Sequence, residues 1–186
     1  MWMSNDLKSL RVKLSESVLS VVPPQRWVEH VDDGGSSITH LLLHIARHQD
    51  LAVTTAIRNH PPLFDTHRFA LGLDDAPSSA GLAEREDRVL TSAIPAEPLV
   101  AYVDAVFGAT EAWLATVGSM ALDTVPSTGR RLTEKASLST DDVGWLHRMW
   151  SDKPVWWLVQ WPVIGHGHAH VGEAISVRNR MGLSPF

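Results

Sequence analysis

Two histidines near the end of the chain have the spacing of metal ligands. His166 and His170 stand four residues apart in the segment HGHAHVGE. Residues four apart lie one above the other on an α-helix, so both imidazoles can reach one point beside it. His168 falls on nearly the opposite side and is predicted to point outward. Alone, the pair is a weak signal, because histidines in helices are commonly core or surface residues.

A third ligand has to come from another helix. His40, His44 and His48 follow one another at four-residue spacing. His44 is embedded in the letters LLLHIA, whose apolar residues must face the core, so its side chain is predicted to be buried. His48 is flanked by Arg47 and Gln49 and is predicted to be solvated. We therefore select His44 as the ligand on this helix.

His44, His166 and His170 together are predicted to hold one divalent metal ion. Three neutral imidazoles with an open fourth position are typical of catalytic rather than structural zinc sites. The same set can bind other ions, so zinc and nickel are the first expectation and iron and manganese the alternatives. Alternatively, the histidine cluster holds two helices together and has no catalytic role.

A carboxylate follows the pair on the same helix face. Glu173 lies three residues after His170 and seven after His166, where it could orient an imidazole, ligate the metal or accept a proton. We predict that it is the catalytic carboxylate and that it orients a histidine ligand by a hydrogen bond instead of binding the metal itself. Three glycines flank the pair: Gly165, Gly167 and Gly172. Glycine costs about 1 kcal/mol against alanine within a helix, so they predict a closely approaching helix or ligand.

Two further groups of residues are weaker candidates. Five tryptophans precede the histidines: Trp145, Trp150, Trp156, Trp157 and Trp161. Such residues are more often core or subunit-contact residues than a cofactor site, although they can also wall a pocket. Arg130, Arg131 and Lys135 could receive an anionic substrate, but a short basic run in a polar loop is usually a solvated surface.

The helices that must position these residues are visible in the apolar periodicity. Apolar residues recur every three or four positions over 4–22, 38–58, 99–117 and 154–182. Ser36 or Ser37 is expected to cap the second helix, after a turn at Asp32-Asp33-Gly34-Gly35. The last helix either kinks or begins at Pro162, and Gly182 is expected to end it.

The connections between these helices are unequal in length. Residues 61–81 are rich in Pro, Gly, Asp and Ser and are too long for a hairpin, so we predict a crossover between the second and third long helices. Short helices are predicted over 82–92 and 141–150, and residues 121–138 are predicted to be irregular. The four main helices predict an all-α fold, a four-helix bundle.

Length and composition bound the kind of protein. The 186 residues are expected to form a single domain, 1–186. The formal net charge of −5 argues against nucleic acid and anionic lipid as partners. The N-terminal segment lacks the apolar run of a secretory signal, and no stretch reaches the roughly 18 apolar residues of a membrane helix. A cytoplasmic protein without a membrane segment is therefore expected.

The two histidine segments resemble the DinB-like superfamily, which includes mycothiol-dependent maleylpyruvate isomerases and bacillithiol transferases. The segment ITHLLLHIARHQD is similar to the family's apolar-flanked single histidine, which places that role on His44. The segment HGHAHVGEAISVRNRMG is similar to the family's last-helix H-x-x-x-H followed by x-Gly-Gln/Glu. That motif places ligand roles on His166 and His170 and matches Glu173. The resemblance implies an up-down-down-up bundle, often a homodimer, with the metal near one end.

The resemblance also implies an activity. The expected function is a metal-dependent transferase or isomerase that uses a low-molecular-weight thiol such as mycothiol and a small-molecule substrate. The chain contains no cysteine, so any thiol chemistry requires a thiol from outside the protein. We expect none of the C-terminal domain of full maleylpyruvate isomerases, which leaves the reaction open. The alternative is a non-catalytic, stress-associated bundle, with or without metal.

Overall fold

The computed structural model describes residues 2–31 and 34–185. This part of the chain is helical and contains no β-strand, which confirms the all-α prediction. Asp32 and Asp33 of the predicted turn lie outside the described residues, and the flanking Val31 and Gly34 form an isolated antiparallel bridge. None of the described helices has the length and apolar character needed to cross a membrane.

The helices include four long segments close to the four predicted ranges. The α-helices are α1 (Trp2–Leu14), α2 (Ile38–Asp50), α3 (Phe64–Leu71), α4 (Arg88–Ser92), α5 (Ala96–Thr116), α6 (Ser119–Leu122), α7 (Thr128–Ala136), α8 (Thr140–Trp150), α9 (Val155–Val159) and α10 (His166–Arg178). Wider, π-helical turns continue α1 over Ser15–Leu19 and α2 over Leu51–Ile57. A third π-helical segment, Gln160–Gly165, joins α9 to α10, and a fourth, Asn179–Leu183, continues α10.

The long segments pack around a shared core. Helix α1 contacts α5 and α10, and α2 contacts the same two helices, so each has two long neighbours. The predicted apolar stripe of α1 is buried at Leu7, Leu10, Leu14 and Val18. Mutual packing of this kind is expected of a helical bundle. The up-down-down-up direction of the helices and the single domain stay predictions.

Helix α2 is buried along its whole length, including its charged residues. Helices α5 and α10 cover part of its surface. Another part is covered by a segment that crosses it, residues 78–84, which we call the strap. Arg47 donates hydrogen bonds from Nε to the carbonyl of Ala80 and from Nη2 to the carbonyl of Ser78. Burial of charged and polar groups is tolerated when they have such partners. The strap therefore lets a helix rich in polar residues lie in the core.

Two predicted connections were wrong in detail. The crossover at 61–81 contains helix α3, and the helix predicted over 82–92 begins only at Arg88, because residues up to 84 cross α2 instead. Residues 121–138, predicted to be irregular, contain α7. The buried residues of α7 lie four apart, but only Leu132 among them is large and apolar, so the periodic signal is faint. The short helix over 141–150 is confirmed as α8.

The ends of the helices that bear the site follow local signals. Ser37 caps α2, because its side chain accepts a hydrogen bond from the backbone amide of His40. The last helical segment begins at Val155 rather than at Pro162, and π-helical turns carry it through the proline. Gly182 ends the regular helix with a φ of +78°, which glycine adopts without strain.

Candidate metal centre

The three predicted ligands lie together between α2 and α10. The Nε2 atoms of His44 and His166 are 3.2 Å apart, and those of His166 and His170 are 3.1 Å apart. Two ligand atoms about 2.1 Å from a tetrahedral zinc ion lie about 3.4 Å apart. The observed separations are close to that value. The structure thus brings together side chains from two distant segments with the spacing of ligands to one ion.

A carboxylate completes the group. Oε1 of Glu84 lies 3.7 Å from Nε2 of His44 and 3.8 Å from Nε2 of His166. Its other oxygen, Oε2, lies 3.6 Å from Nε2 of His170. The ligand atoms of the four side chains are within 4.8 Å of one another, so the group could hold a metal ion.

The second ring nitrogen fixes the orientation of two of the imidazoles. Nδ1 of His44 lies 2.8 Å from the carbonyl of Gly81 in the strap, and Nδ1 of His170 lies 3.1 Å from the carboxylate of Glu173. A ring that donates from Nδ1 keeps the lone pair of Nε2 for a metal. The hydrogen bond from His170 also lowers the pKa of Glu173. Glu173 thus lies where it can orient His170, and its catalytic role stays a prediction.

Burial keeps two of the imidazoles, those of His44 and His166, neutral. It lowers the pKa of His44 to about 3, and the nearby His166 and His170 act in the same direction. Burial likewise lowers the pKa of His166 to about 4, with a further contribution from His170. Because a metal ion binds the neutral ring, protons do not compete for these two residues near neutral pH.

The other two histidines of α2 are also buried. The prediction that His48 is solvated was wrong: its side chain is buried, and its Nε2 lies 3.2 Å from the carbonyl of Leu82. Burial lowers the pKa of His48 well below its ordinary value. His40 stacks on His44, with ring centroids 5.4 Å apart, and interacts with the backbone of Glu84. Polar sequence neighbours did not reveal this burial, because the strap that causes it comes from elsewhere in the chain.

Close packing positions the ligands on α10. A Cβ atom at Gly167 would lie 2.6 Å from Cδ2 of Leu10 on α1, so the predicted close approach is confirmed there. At Gly172 a Cβ atom would meet no described atom within 4 Å beyond its chain neighbours and its own helix backbone, so no helix approaches closely there, and the alternative of an approaching ligand stays a prediction. His168 is partly exposed and lies outside the group of four, as expected from its place on the helix.

Tryptophans enclose a cavity beside the group. This inner cavity, with a volume of about 40 Å³, is lined by Trp145, Trp150 and Trp161 together with His166 and Glu84. On its other side, Glu84 borders an outer cleft of about 750 Å³, formed by residues 35–36 and 84–89. The tryptophans therefore wall a pocket next to the candidate ligands, and the pocket offers apolar surface to a bound molecule.

The remaining weak candidates lie apart from the group. Trp156 is 42% exposed and is therefore not a core residue, which leaves its predicted alternative as a subunit-contact residue open, whereas Trp157 packs partly buried against the core. Arg131 donates from Nη1 to the carbonyls of residues 56 and 57, at the end of the π-helical continuation of α2. This arginine thus satisfies the open carbonyls of a helix end rather than facing a substrate.

Glu84 is the member of the group that the sequence analysis missed. It lies in the polar stretch GLAERED, which has no helical periodicity. Its place depends on the preceding turn: Gly81 has a φ of +77°, and a Cβ atom there would lie 2.8 Å from the side chain of Leu43. A glycine among polar letters signals a turn. It does not reveal which helix the turn will touch.

No family model, curated protein or solved structure matches this chain. The DinB-like resemblance therefore stays a prediction that depends on the two histidine segments. What the site can do is set by the chemistry of its side chains: neutral nitrogen ligands, one carboxylate and an aromatic cavity beside them.

Proposed function

We propose that this chain is a metal-dependent enzyme in which His44, His166 and His170 hold one divalent ion beside Glu84. The observation that supports it is the convergence of three Nε2 atoms, with separations of 3.1 and 3.2 Å, opposite a carboxylate. Nitrogen ligands of this kind suit zinc or nickel, and the carboxylate keeps iron and manganese as alternatives. Such an ion lowers the pKa of a bound water or thiol, which yields a nucleophile near neutral pH.

We further propose that the nucleophile is a low-molecular-weight thiol, mycothiol or a similar compound, and that the reaction is a transfer to, or an isomerisation of, a small molecule. Three features support this choice: the resemblance to the DinB-like superfamily, the absence of cysteine, and the aromatic cavity beside His166. In this proposal the cavity receives the apolar part of the substrate. Glu173 acts through His170, whose ring it orients by accepting the hydrogen bond from Nδ1 and whose strength as a metal ligand it would raise.

Membership of the DinB-like superfamily also brings the up-down-down-up order of the long helices, a homodimer and a cytoplasmic location into the proposal. The contacts of α1 and α2 with both α5 and α10 are compatible with that bundle. The net charge of −5 is compatible with small-molecule rather than nucleic-acid partners.

The test compares two histidines of the same helix. Tag-free wild type, His166→Ala and the matched control His168→Ala are analysed for bound metal and for consumption of mycothiol with small electrophilic acceptors. We expect one metal ion per chain and thiol consumption in the wild type and the control, and neither in His166→Ala, because only His166 belongs to the group. Sub-stoichiometric metal in the wild type, or equal activity of all three proteins, would refute the proposal.

A non-catalytic role is the second candidate, and one observation favours it. Nδ1 of His166 is buried without a hydrogen-bond partner among the described residues, whereas histidines that ligate a metal through Nε2 almost always donate from Nδ1. Without metal, the Nε2–H of His166 can donate to His44 or His170, and the cluster then clamps α2 to α10.

Thermal melts with and without a chelator separate these roles. A metal-dependent melting temperature with no thiol effect would favour a metal clamp. A melting temperature that ignores both chelator and added metal would favour the hydrogen-bonded cluster.

A further inference from the structure

Glu84 differs from the three histidines of the group in its exposure. Its side chain is 71% exposed, whereas those of His44, His166 and His170 are 0%, 19% and 12% exposed. One carboxylate oxygen lies nearest His44 and His166, and the other nearest His170. The carboxylate therefore lies across the point where the imidazoles meet, on the side that faces solvent.

The residues on both sides of Glu84 are held in place, one through its backbone and the other through its side chain. Before it, the carbonyl of Leu82 lies 3.2 Å from Nε2 of His48. After it, the carboxylate of Glu86 accepts hydrogen bonds from the backbone amide and the hydroxyl of Ser37. With both flanks fixed, the side-chain torsions of Glu84 provide the easiest movement. An exposed glutamate can turn about these torsions without breaking the contacts of the loop.

Glu84 also lies at the boundary of the two cavities. It lines the outer cleft of about 750 Å³ and the inner aromatic cavity of about 40 Å³. A molecule that enters from the outer cleft therefore meets this carboxylate before it reaches the imidazoles. The Glu84 carboxylate therefore occupies the position that a molecule entering from the outer cleft would need in order to reach the imidazoles.

We propose that Glu84 is an exchangeable fourth ligand. It holds the fourth coordination position before substrate binds and yields it to the sulfur of a small thiol by turning into the outer cleft. The S–H bond breaks, its electron pair stays on sulfur for the vacated position, and the proton passes to the freed carboxylate. No atom changes oxidation state. This inference rests on the proposed thiol-dependent function, and it adds that the resting site is closed by a residue of the protein itself.

Cobalt(II) with 2-mercaptoethanol as the thiol probe tests this exchange, because thiolate coordination to cobalt produces an absorption band in the near ultraviolet. The proteins are wild type, Glu84→Ala, Glu84→Gln and the exposed control Glu134→Ala. We expect Glu84→Ala to weaken cobalt binding by at least about 10-fold, because the loss of a carboxylate that only supports a ligand already costs about 10- to 100-fold. The same variant should bind 2-mercaptoethanol more tightly, because no carboxylate has to be displaced. Glu84→Gln should lie between it and the wild type.

The two effects of opposite sign separate exchange from the other roles of Glu84. Unchanged cobalt affinity in Glu84→Ala would make the residue a bystander and overturn the inference alone. Weaker cobalt binding without tighter thiol binding would make it a permanent ligand, with the same consequence. A wild type that binds no cobalt would overturn the inference together with the proposed function. Circular dichroism of each variant checks folding, which the exposed position should leave intact.

Discussion

The two halves of the candidate metal centre are held in place in different ways. On α2, His40, His44 and His48 are at most 3% exposed and face the backbone of the strap. On α10, His166 and His170 remain partly exposed, and His166 lines the inner cavity. The α2 half is therefore fully buried in the core, whereas the α10 half is partly open to solvent. Changes on α2 should affect folding and metal binding together, whereas changes on α10 should affect mainly metal binding.

We expect the largest effect from acid, which should lower the free energy of unfolding through the buried histidines of the site. Unfolded histidines take up protons near pH 6.5, whereas burial lowers the pKa of His44 to about 3 and of His166 to about 4. The unfolded chain therefore binds more protons between these values. The contribution of these two neutral histidines to the free energy of unfolding is fully present above pH 6.5. It is lost as the pH falls toward 3, by up to about 1.4 kcal/mol per pH unit for each histidine.

Urea denaturation of the metal-free protein, from about pH 7.5 to about pH 5, measures this dependence. His44→Asn should reduce the slope because it removes one buried titrating group, and the partly exposed His168 replaced by alanine is the control. A free energy of unfolding that stays constant over this range would contradict the burial of the α2 half.

The next largest effect should distinguish the two halves directly. In metal-free protein, His44→Ala leaves the Gly81 carbonyl unpaired and opens a void, which should cost about 3 kcal/mol. His166→Ala removes a partly exposed ring whose Nδ1 has no partner in the described part of the chain, and it should cost about 1 kcal/mol. Both variants should lose bound metal. Equal losses of stability in guanidinium titrations would show that the two halves are equally part of the core.

A pair of glycines sharpens the comparison on the α10 side. Gly167→Ala forces a Cβ atom against Leu10 and should destabilise the fold by about 1–3 kcal/mol. In Gly172→Ala the new Cβ atom meets no described atom of another helix or loop within 4 Å, so the change should stabilise α10 by up to about 1 kcal/mol. Melting temperatures of the two variants should therefore move in opposite directions. Parallel shifts would mean that packing against α1 does not position the ligands.

The smallest effect should come from the support of a single ligand. Glu173→Gln keeps the size of the side chain but weakens the hydrogen bond from Nδ1 of His170, so metal affinity should fall by about tenfold. Folding should change little, because Glu173 is partly exposed. Competition with a metal-sensitive dye measures the affinity, and Glu134→Gln on α7 is a matched control. An unchanged dissociation constant would remove Glu173 from the site.

The sequence predicted the three histidines of the candidate metal centre. The four-residue spacing of His166 and His170 and the apolar flanks of His44 located the three imidazoles that the structure brings together. The same reasoning failed for His48, because polar neighbours predict solvent only when no other segment covers the helix. Helix α7 was missed for a different reason: only Leu132 among its buried residues is large and apolar, so the helix shows little apolar periodicity.

What the sequence determined by itself is therefore local: where the long helices run, that a serine caps α2, and which histidines share a helix face. Those properties depend on backbone periodicity and on contacts between near neighbours. Only the tertiary structure decided that the strap covers α2, that His48 is buried, and that Glu84 lies over the imidazoles. The placement of a loop against a distant helix depends on the packing of the whole core, which no local pattern of residues specifies.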